Sequence, residues 1–324
     1  MVSELISLRR IWKAKQRVAG LVLQTPLIYS DALSKHTGNQ VYLKLENHQP
    51  TGAFKLRGAA NKILSLSKDD QKKGVATFST GNHGIAVAYV AKQLGIRSIV
   101  CISSRVPKGK VNRLKDLGAE VAVVGENQDD AEDYCYRLEK EQGVSVIKPF
   151  DDLEVIAGQG TIGIEVLEQC PDIDEIVIPL SGGGLLSGIG YTLKSNDSSI
   201  QVTGVSMEKS AVMHESLKQG YPIKIAETPT LADSLLGGIG PDNQYTFQLT
   251  KQYMDNSVLI SEKAIAEGVL FLLEHHKMAV EGAAGAVIGK LLSEKQKGDG
   301  RVIVGVVSGN NIDHETVSEL LKTR

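Results

Sequence analysis

The chain has 324 residues, 42% of them hydrophobic, and a formal net charge of -2 with acids and bases mixed along its length. That length supports a large buried core in one body of two lobes, and the charge balance gives no electrostatic case for nucleic acid or an anionic membrane surface. No apolar run reaches the roughly 18–20 residues of a membrane span. Residues 1–16 carry no secretory apolar core, and the three cysteines, Cys101, Cys135 and Cys170, lack metal-ligand spacing and fit a reducing cytoplasm.

Short β-branched runs alternate with amphipathic stretches, the pattern of an α/β protein with parallel sheets. In chain order, strands are expected at 41–45, 75–79, 98–102, 120–124, 144–147, 175–180, 201–205 and 302–307. The spacing of apolar residues predicts helices at 82–94, 108–117, 128–142, 184–194 and 262–275, among others. Four of the strands fall within 74–150, enough for a sheet of their own. A small lobe is therefore expected there, with a larger lobe built from 1–73 and 151–324. No internal repeat or low-complexity segment stands out, and the 33 glycines gather around a few short motifs.

The first of these is Pro50-Thr51-Gly52-Ala53-Phe54-Lys55-Leu56-Arg57-Gly58. A glycine and two apolar residues precede Lys55, which suits a tight, partly desolvated bend. Desolvation disfavours the ammonium form, and a neutral amine is the form that condenses with an aldehyde. A solvated lysine opening a helix is the alternative. The second motif, Ser79-Thr80-Gly81-Asn82-His83-Gly84, falls between a strand and a helix. Backbone N–H groups at a helix start, with the Ser79 and Thr80 hydroxyls, suit a carboxylate. Asn82 serves equally well as a helix N-cap.

The third motif, Ser181-Gly182-Gly183-Gly184, is followed by Leu185 and lies between an apolar strand and a helix. Consecutive glycines let several N–H groups converge on one anion, with the helix N-terminus behind them. It is neither a P-loop nor the spaced glycine fingerprint of dinucleotide binders. The last motif is Ser308-Gly309-Asn310-Asn311, where Ser308 ends a strand and by itself reads as a strand-end cap.

These four segments occur in the order and spacing of the fold-type II pyridoxal-phosphate (PLP) enzymes, which the chain resembles. The likeness is narrower still to the threonine dehydratase and serine racemase branch. Thr25-Pro26-Leu27, Leu43-Lys44-Leu45-Glu46-Asn47, residues 156–163 and Glu281-Gly282-Ala283 share it, so it runs through nearly the whole chain. The resemblance implies a tryptophan synthase β-like fold, two lobes each with a mostly parallel sheet flanked by helices, and the cofactor in the cleft. It also implies a homodimer and a small amino-acid substrate.

By the same resemblance, Lys55 carries PLP and moves the substrate α-proton, and Phe54 packs against one cofactor face. Asn82 hydrogen-bonds the phenolic oxygen, Ser181, Gly182, Gly183, Gly184 and Leu185 bind the phosphate, and Ser308 meets the pyridine nitrogen. Ser79, Thr80, Gly81, Asn82 and His83 form the substrate-carboxylate loop, with His83 read as structural. The implied activity is that of a dehydratase (ammonia-lyase) on L-threonine or L-serine. Two alternatives stand beside it. Residues 204–208 and 229–240 look similar to dehydratases of hydroxyectoine utilisation, acting on a hydroxylated diaminobutyrate-type compound. Thr80 stands where serine racemases carry a serine, and its hydroxyl would reprotonate the α-carbon opposite Lys55.

The chain departs from the family at Ser181 and Asn310, where glycine is usual. The acidic cation ligands of serine racemases fall on Ser206 and Val212, leaving Glu208 displaced beside Lys209, so no metal site is carried over. The end of the chain at Arg324 leads to the expectation of no C-terminal regulatory domain and no isoleucine feedback. A catalytically idle amino-acid-binding protein is the reading from another class, but such a relative would lose Lys55 first.

Overall fold

Residues 6–106, 108–295 and 298–322 are described by the computed structural model. The chain begins with α1 (Leu8–Val18), β1 (Leu27–Tyr29), α2 (Asp31–Thr37), β2 (Gln40–Leu45), α3 (Lys55–Ser65) and α4 (Lys68–Lys73). Next come β3 (Val75–Thr77), α5 (Asn82–Leu94), β4 (Ser98–Ile102), α6 (Lys108–Asp116), β5 (Glu120–Val123), α7 (Gln128–Gln142) and β6 (Ser145–Val146). After them run α8 (Leu153–Gln169), β7 (Glu175–Pro179), α9 (Gly184–Asn196), β8 (Gln201–Met207) and α10 (Val212–Gln219). The chain closes with α11 (Thr246–Tyr253), β9 (Asn256–Ile260), α12 (Glu262–His276), α13 (Gly282–Leu292), β10 (Val302–Val307) and α14 (His314–Lys322).

The strands form two sheets, one in the order β1-β2-β10-β7-β8-β9 and one in the order β5-β4-β3-β6. Every pairing is parallel except that of β1 with β2. Central strands of parallel sheets are covered by helices on both faces and so read as unbroken apolar runs. Strand β7 is buried at all of its positions, and β10 at all but its first. The lobes therefore follow from the α/β alternation.

Two strands escape sequence periodicity. β1 is a three-residue antiparallel edge strand, and β9 begins with the polar pair Asn256-Ser257 and is specified by its register against β8. The strand expected at 75–79 stops at Thr77, which leaves Ser79 and Thr80 in the loop before α5.

Helix α8 explains how α3 is held. The Asp152 carboxylate caps it by accepting from the N–H groups of Glu154 and Val155. A Cβ on Gly158 would sit 2.5 Å from the Arg57 carbonyl oxygen, so only glycine allows α3 and α8 to approach this closely. Beneath that contact lies a buried ionic network. Arg57 pairs with Glu46 at 2.7 Å and Glu165 at 2.6 Å, and Lys44 pairs with Glu165 at 2.6 Å. Two cations and two carboxylates balance, and the Thr25 and Thr161 hydroxyls satisfy further polar atoms. Such a network costs desolvation but strongly resists the loss of any one member.

The three cysteines are free and buried, consistent with packing residues. Among the described residues no helix is long and apolar enough to cross a membrane, and no group of three or more His, Cys, Asp or Glu side chains is arranged to hold a metal ion.

Candidate active site

Lys55 does open a helix, as the first residue of α3, but it is not a solvated lysine. Its amine donates to the Pro149 carbonyl at 2.8 Å and lies 5.3 Å from the centroid of the Phe54 ring. Burial lowers its pKa to about 8, even though the nearby Glu281 carboxylate acts to raise it. The neutral form, which a nucleophilic amine needs, is therefore far more accessible near neutral pH than in an ordinary lysine.

The segment before Lys55 is zipped to the end of β10. Ala53 forms an isolated antiparallel bridge with Gly309, Phe54 N–H donates to the Ser308 carbonyl at 3.0 Å, and Asn310 N–H donates to the Gly52 carbonyl at 2.9 Å. Ser308, buried at the strand end, is thereby brought beside Phe54 and Lys55. Phe54 also packs against the apolar core around β7 and α9, so it sits both at the site and at the core edge.

The N-cap alternative for Asn82 is corrected. Gly81 occupies the cap position of α5 without a side-chain bond, and Asn82 is the first helical residue. Its Nδ2 donates to Glu281 Oε1 at 2.9 Å and Oε2 at 2.8 Å, while its Oδ1 accepts from Asn311 Nδ2 at 2.5 Å. Glu281 sits at the cap position of α13 but turns its carboxylate to Asn82 and to the Asn311 N–H rather than to its own helix. Burial pushes its pKa up, against the hydrogen bonds from Asn82 and Asn311.

His83 is buried and fastens the loop: its Nε2 bonds the Ile147 carbonyl at 2.8 Å. A carbonyl only accepts, so Nε2 carries the proton and Nδ1, which has no partner, is a bare acceptor. Burial, and then the charge of Lys55, lower its pKa to about 3, which keeps the ring neutral. Ser79, Thr80 and Gly81 are half-buried beside it.

The glycine run lies between β7 and α9, where it was expected. Gly183 caps α9 with φ +82, and no side chain caps that helix. Its first N–H groups therefore remain available to an anion. Yet a Cβ on Gly182 would meet the Phe150 ring at 2.5 Å, and one on Gly183 would meet Thr250 Oγ1 at 2.6 Å and Met213 Cε at 2.8 Å. Protein packed against the loop thus also asks for glycine at these two positions, beside any anion its N–H groups would receive. The Leu185 side chain belongs to the apolar core, so a ligand contact by this residue would run through its backbone N–H.

The segment 147–152, which carries no recognisable motif, links the parts. Ile147 holds His83, Pro149 holds Lys55, and Phe150 packs on Gly182 and Gly184. Asp151 accepts from the N–H groups of Gln244, Tyr245 and Thr246, which anchors the start of α11. The available signal was the pair Asp151-Asp152 ahead of an apolar helical run. Glu281 and Asn311 also lacked an assigned role, because nothing local to either residue shows what it faces.

An amine with a lowered pKa, an uncapped helix start behind glycines and an amide donor together suit a small molecule that carries both an aldehyde and a phosphate. Two parallel-sheet lobes bearing that set define an enzyme that works through a lysine and such a cofactor. The model of the pyridoxal-phosphate dependent enzyme family matches residues 18–309. The chain belongs to that family.

A relative from Sinorhizobium fredii with a provisional threonine dehydratase name is 45% identical over 95% of this chain and 93% of its own. The L-threonine ammonia-lyase of Thermotoga maritima is 38% identical over 98% of this chain and 78% of its own. Among solved structures, maize serine racemase superposes with a TM-score of 0.91 at 31% identity, covering 98% of this chain and 97% of that one.

Proposed function

We propose that the protein is a pyridoxal-phosphate-dependent dehydratase, an ammonia-lyase, that converts L-threonine or L-serine into an oxo acid and ammonia. The observation that carries this reading is the buried Lys55 amine, held by the Pro149 carbonyl with its pKa lowered to about 8, in a chain whose relatives bear threonine ammonia-lyase names. In this reading the small lobe spans 74–150, the large lobe spans 1–73 and 151–324, and PLP is held between them. Lys55 would carry the cofactor, Asn82 its phenolic oxygen, and Phe54 and Ser308 its ring. Backbone N–H groups of Ser181, Gly182, Gly183, Gly184 and Leu185 would take its phosphate.

When bound, PLP supplies the electron sink that stabilises negative charge at the substrate α-carbon. The protein supplies orientation and proton handling. Ser79, Thr80 and Gly81 hold the substrate carboxylate, and His83 keeps that loop fastened to Ile147. Lys55, as a neutral amine, takes the α-proton. The β-hydroxyl departs as water with the proton that Lys55 returns, and the enamine that remains hydrolyses to the oxo acid and ammonia. We further propose a cytoplasmic homodimer, a setting that suits three free cysteines.

Racemisation is the second reading, favoured by the Thr80 hydroxyl and by the likeness to maize serine racemase. The deciding experiment incubates the holoenzyme with L-threonine, L-serine and a hydroxylated diaminobutyrate, following oxo-acid formation and the chirality of what remains. Oxo acid from threonine or serine is expected, and none from Lys55→Ala, which should also lose the visible absorbance band that borohydride bleaches. Turnover of the diaminobutyrate compound alone would overturn the substrate assignment. Wild-type turnover by Lys55→Ala would overturn the central one.

A further inference from the structure

Asn311 joins segments that are far apart in the chain. Its Nδ2 donates to Asn82 Oδ1 at 2.5 Å and to the Thr51 carbonyl at 3.0 Å. Its Oδ1 accepts from the Arg113 guanidinium at 2.7 Å, and its backbone N–H donates to Glu281 Oε1 at 2.8 Å. Asn82 and Arg113 belong to α5 and α6, which connect strands of the four-stranded sheet. Thr51, in the segment leading to Lys55, and Glu281, at the start of α13, lie with the six-stranded sheet. One amide side chain thus spans the two lobes.

The orientation of both amides is forced. A guanidinium has donors only, so the Asn311 oxygen must face Arg113 and its nitrogen must face Asn82. The Asn82 oxygen must then face Asn311, which turns the Asn82 nitrogen away. A carboxylate has acceptors only, and Glu281 receives that nitrogen at 2.9 and 2.8 Å. Arg113, Asn311, Asn82 and Glu281 form a one-way chain of donors and acceptors, anchored at Arg113 by a group that cannot reverse its role and ending on the two oxygens of Glu281. Without Asn311, the Asn82 amide keeps only its Glu281 contact to fix which end it presents as a donor.

We propose that Asn311 is a positioning residue: held by Arg113 across the lobes, it fixes the N–H₂ of Asn82 as the donating end of that amide, the end that meets Glu281 here and would be offered to a ligand oxygen in exchange. This rests on the reading of Asn82 as a cofactor ligand. It concerns Asn311 and Arg113, neither of which is assigned a contact with the cofactor or substrate.

The test measures the rate at which the holoenzyme loses PLP to a trapping reagent, alongside the melting temperature, in a double-mutant cycle. Asn82→Ala and Asn311→Ala should each speed cofactor loss roughly tenfold, the equivalent of one directed hydrogen bond. The double variant should lose PLP no faster than Asn82→Ala alone. Arg113→Ala should give a smaller acceleration that disappears in the Asn311→Ala background. Asn311→Asp keeps the volume and the Arg113 contact but sets an acceptor against Asn82 Oδ1, so it should lose PLP at least as fast as Asn311→Ala. That variant also carries the test should Asn311→Ala fail to fold.

Equal acceleration by the Asn311 substitution with and without Asn82 would overturn the proposal, because Asn311 would then act independently of that amide. Wild-type loss rates in both Asn311 variants would overturn it as well. Wild-type cofactor retention by Asn82→Ala is a different failure, since it removes the reading of Asn82 and the proposal with it.

Discussion

The Asn82 amide donates to both carboxylate oxygens of Glu281, at 2.9 and 2.8 Å, and so ties the start of α5 to the start of α13. Glu281 also acts on Lys55 by its charge, so one carboxylate acts on both the amide donor and the reactive amine. Burial favours its protonated form while the bonds from Asn82 and Asn311 favour the ionised one. The balance at this single group bears on the charge that the Lys55 amine meets.

The first consequence is a pH dependence. The Lys55 amine is neutral above its pKa of about 8, against 10.5 for an ordinary lysine. Recombination of the apoenzyme with PLP should accelerate as pH rises and level off above about 8. Glu281→Gln removes a negative charge that raises this pKa, so its profile should level off at lower pH. Stopped-flow absorbance at a series of pH values measures both. A wild-type rate still climbing at the pKa of a free lysine would refute the desolvated amine.

Gly183→Val should weaken the protein and its cofactor retention together. The substituted residue would have to adopt φ +82 and would push its Cβ into Thr250 and Met213. Strain and overpacking of this kind cost about 1–3 kcal/mol each. A lowered urea midpoint for the apoprotein is the expected result. An unchanged midpoint with lost retention would instead mean that the glycine is needed only in front of the loop.

Glu165→Ala should destabilise the fold by about 3–5 kcal/mol, because it strips the partner from Lys44 and half the pairing from Arg57 in a buried site. Glu165→Gln, which keeps the shape and some of the hydrogen bonds, should cost less. Equilibrium urea unfolding of the apoproteins compares them. A loss below about 1 kcal/mol for the alanine variant, the range of surface pairs, would show that water reaches the network.

Thr80 separates elimination from racemisation. If its hydroxyl protonates the α-carbon on the face opposite Lys55, L-serine turnover should yield some D-serine beside pyruvate. Thr80→Ala should then suppress D-serine while leaving pyruvate formation largely intact. Chiral chromatography after partial turnover reads both products. Equal D-serine from the two proteins would assign that proton to another group.

The α/β architecture was legible in the amino-acid order because parallel strands need unbroken apolar runs and their crossovers need amphipathic helices. Residues 98–102 and 302–307 are strands at the expected bounds. Lys55 and the run from Ser181 to Gly184 were legible as candidates for a related reason: an amine after an apolar bend and three glycines before a helix carry their chemistry in neighbouring residues.

Tertiary structure decided what those residues face. Lys55 meets Pro149 across 94 positions, and Asn82 meets Glu281 across 199. Such pairs leave no periodic trace, since nothing local depends on them. The edge strands β1 and β9 are similar cases, because their conformation is set by the ladders they join. So is the packing of Phe150, Met213 and Thr250 against the glycine run, which leaves no room for a Cβ at Gly182 or Gly183. Local steric and solvation preferences act between near neighbours and are written in their order. Desolvation, amide orientation and charge coupling act through space, and they exist only once the two lobes have packed.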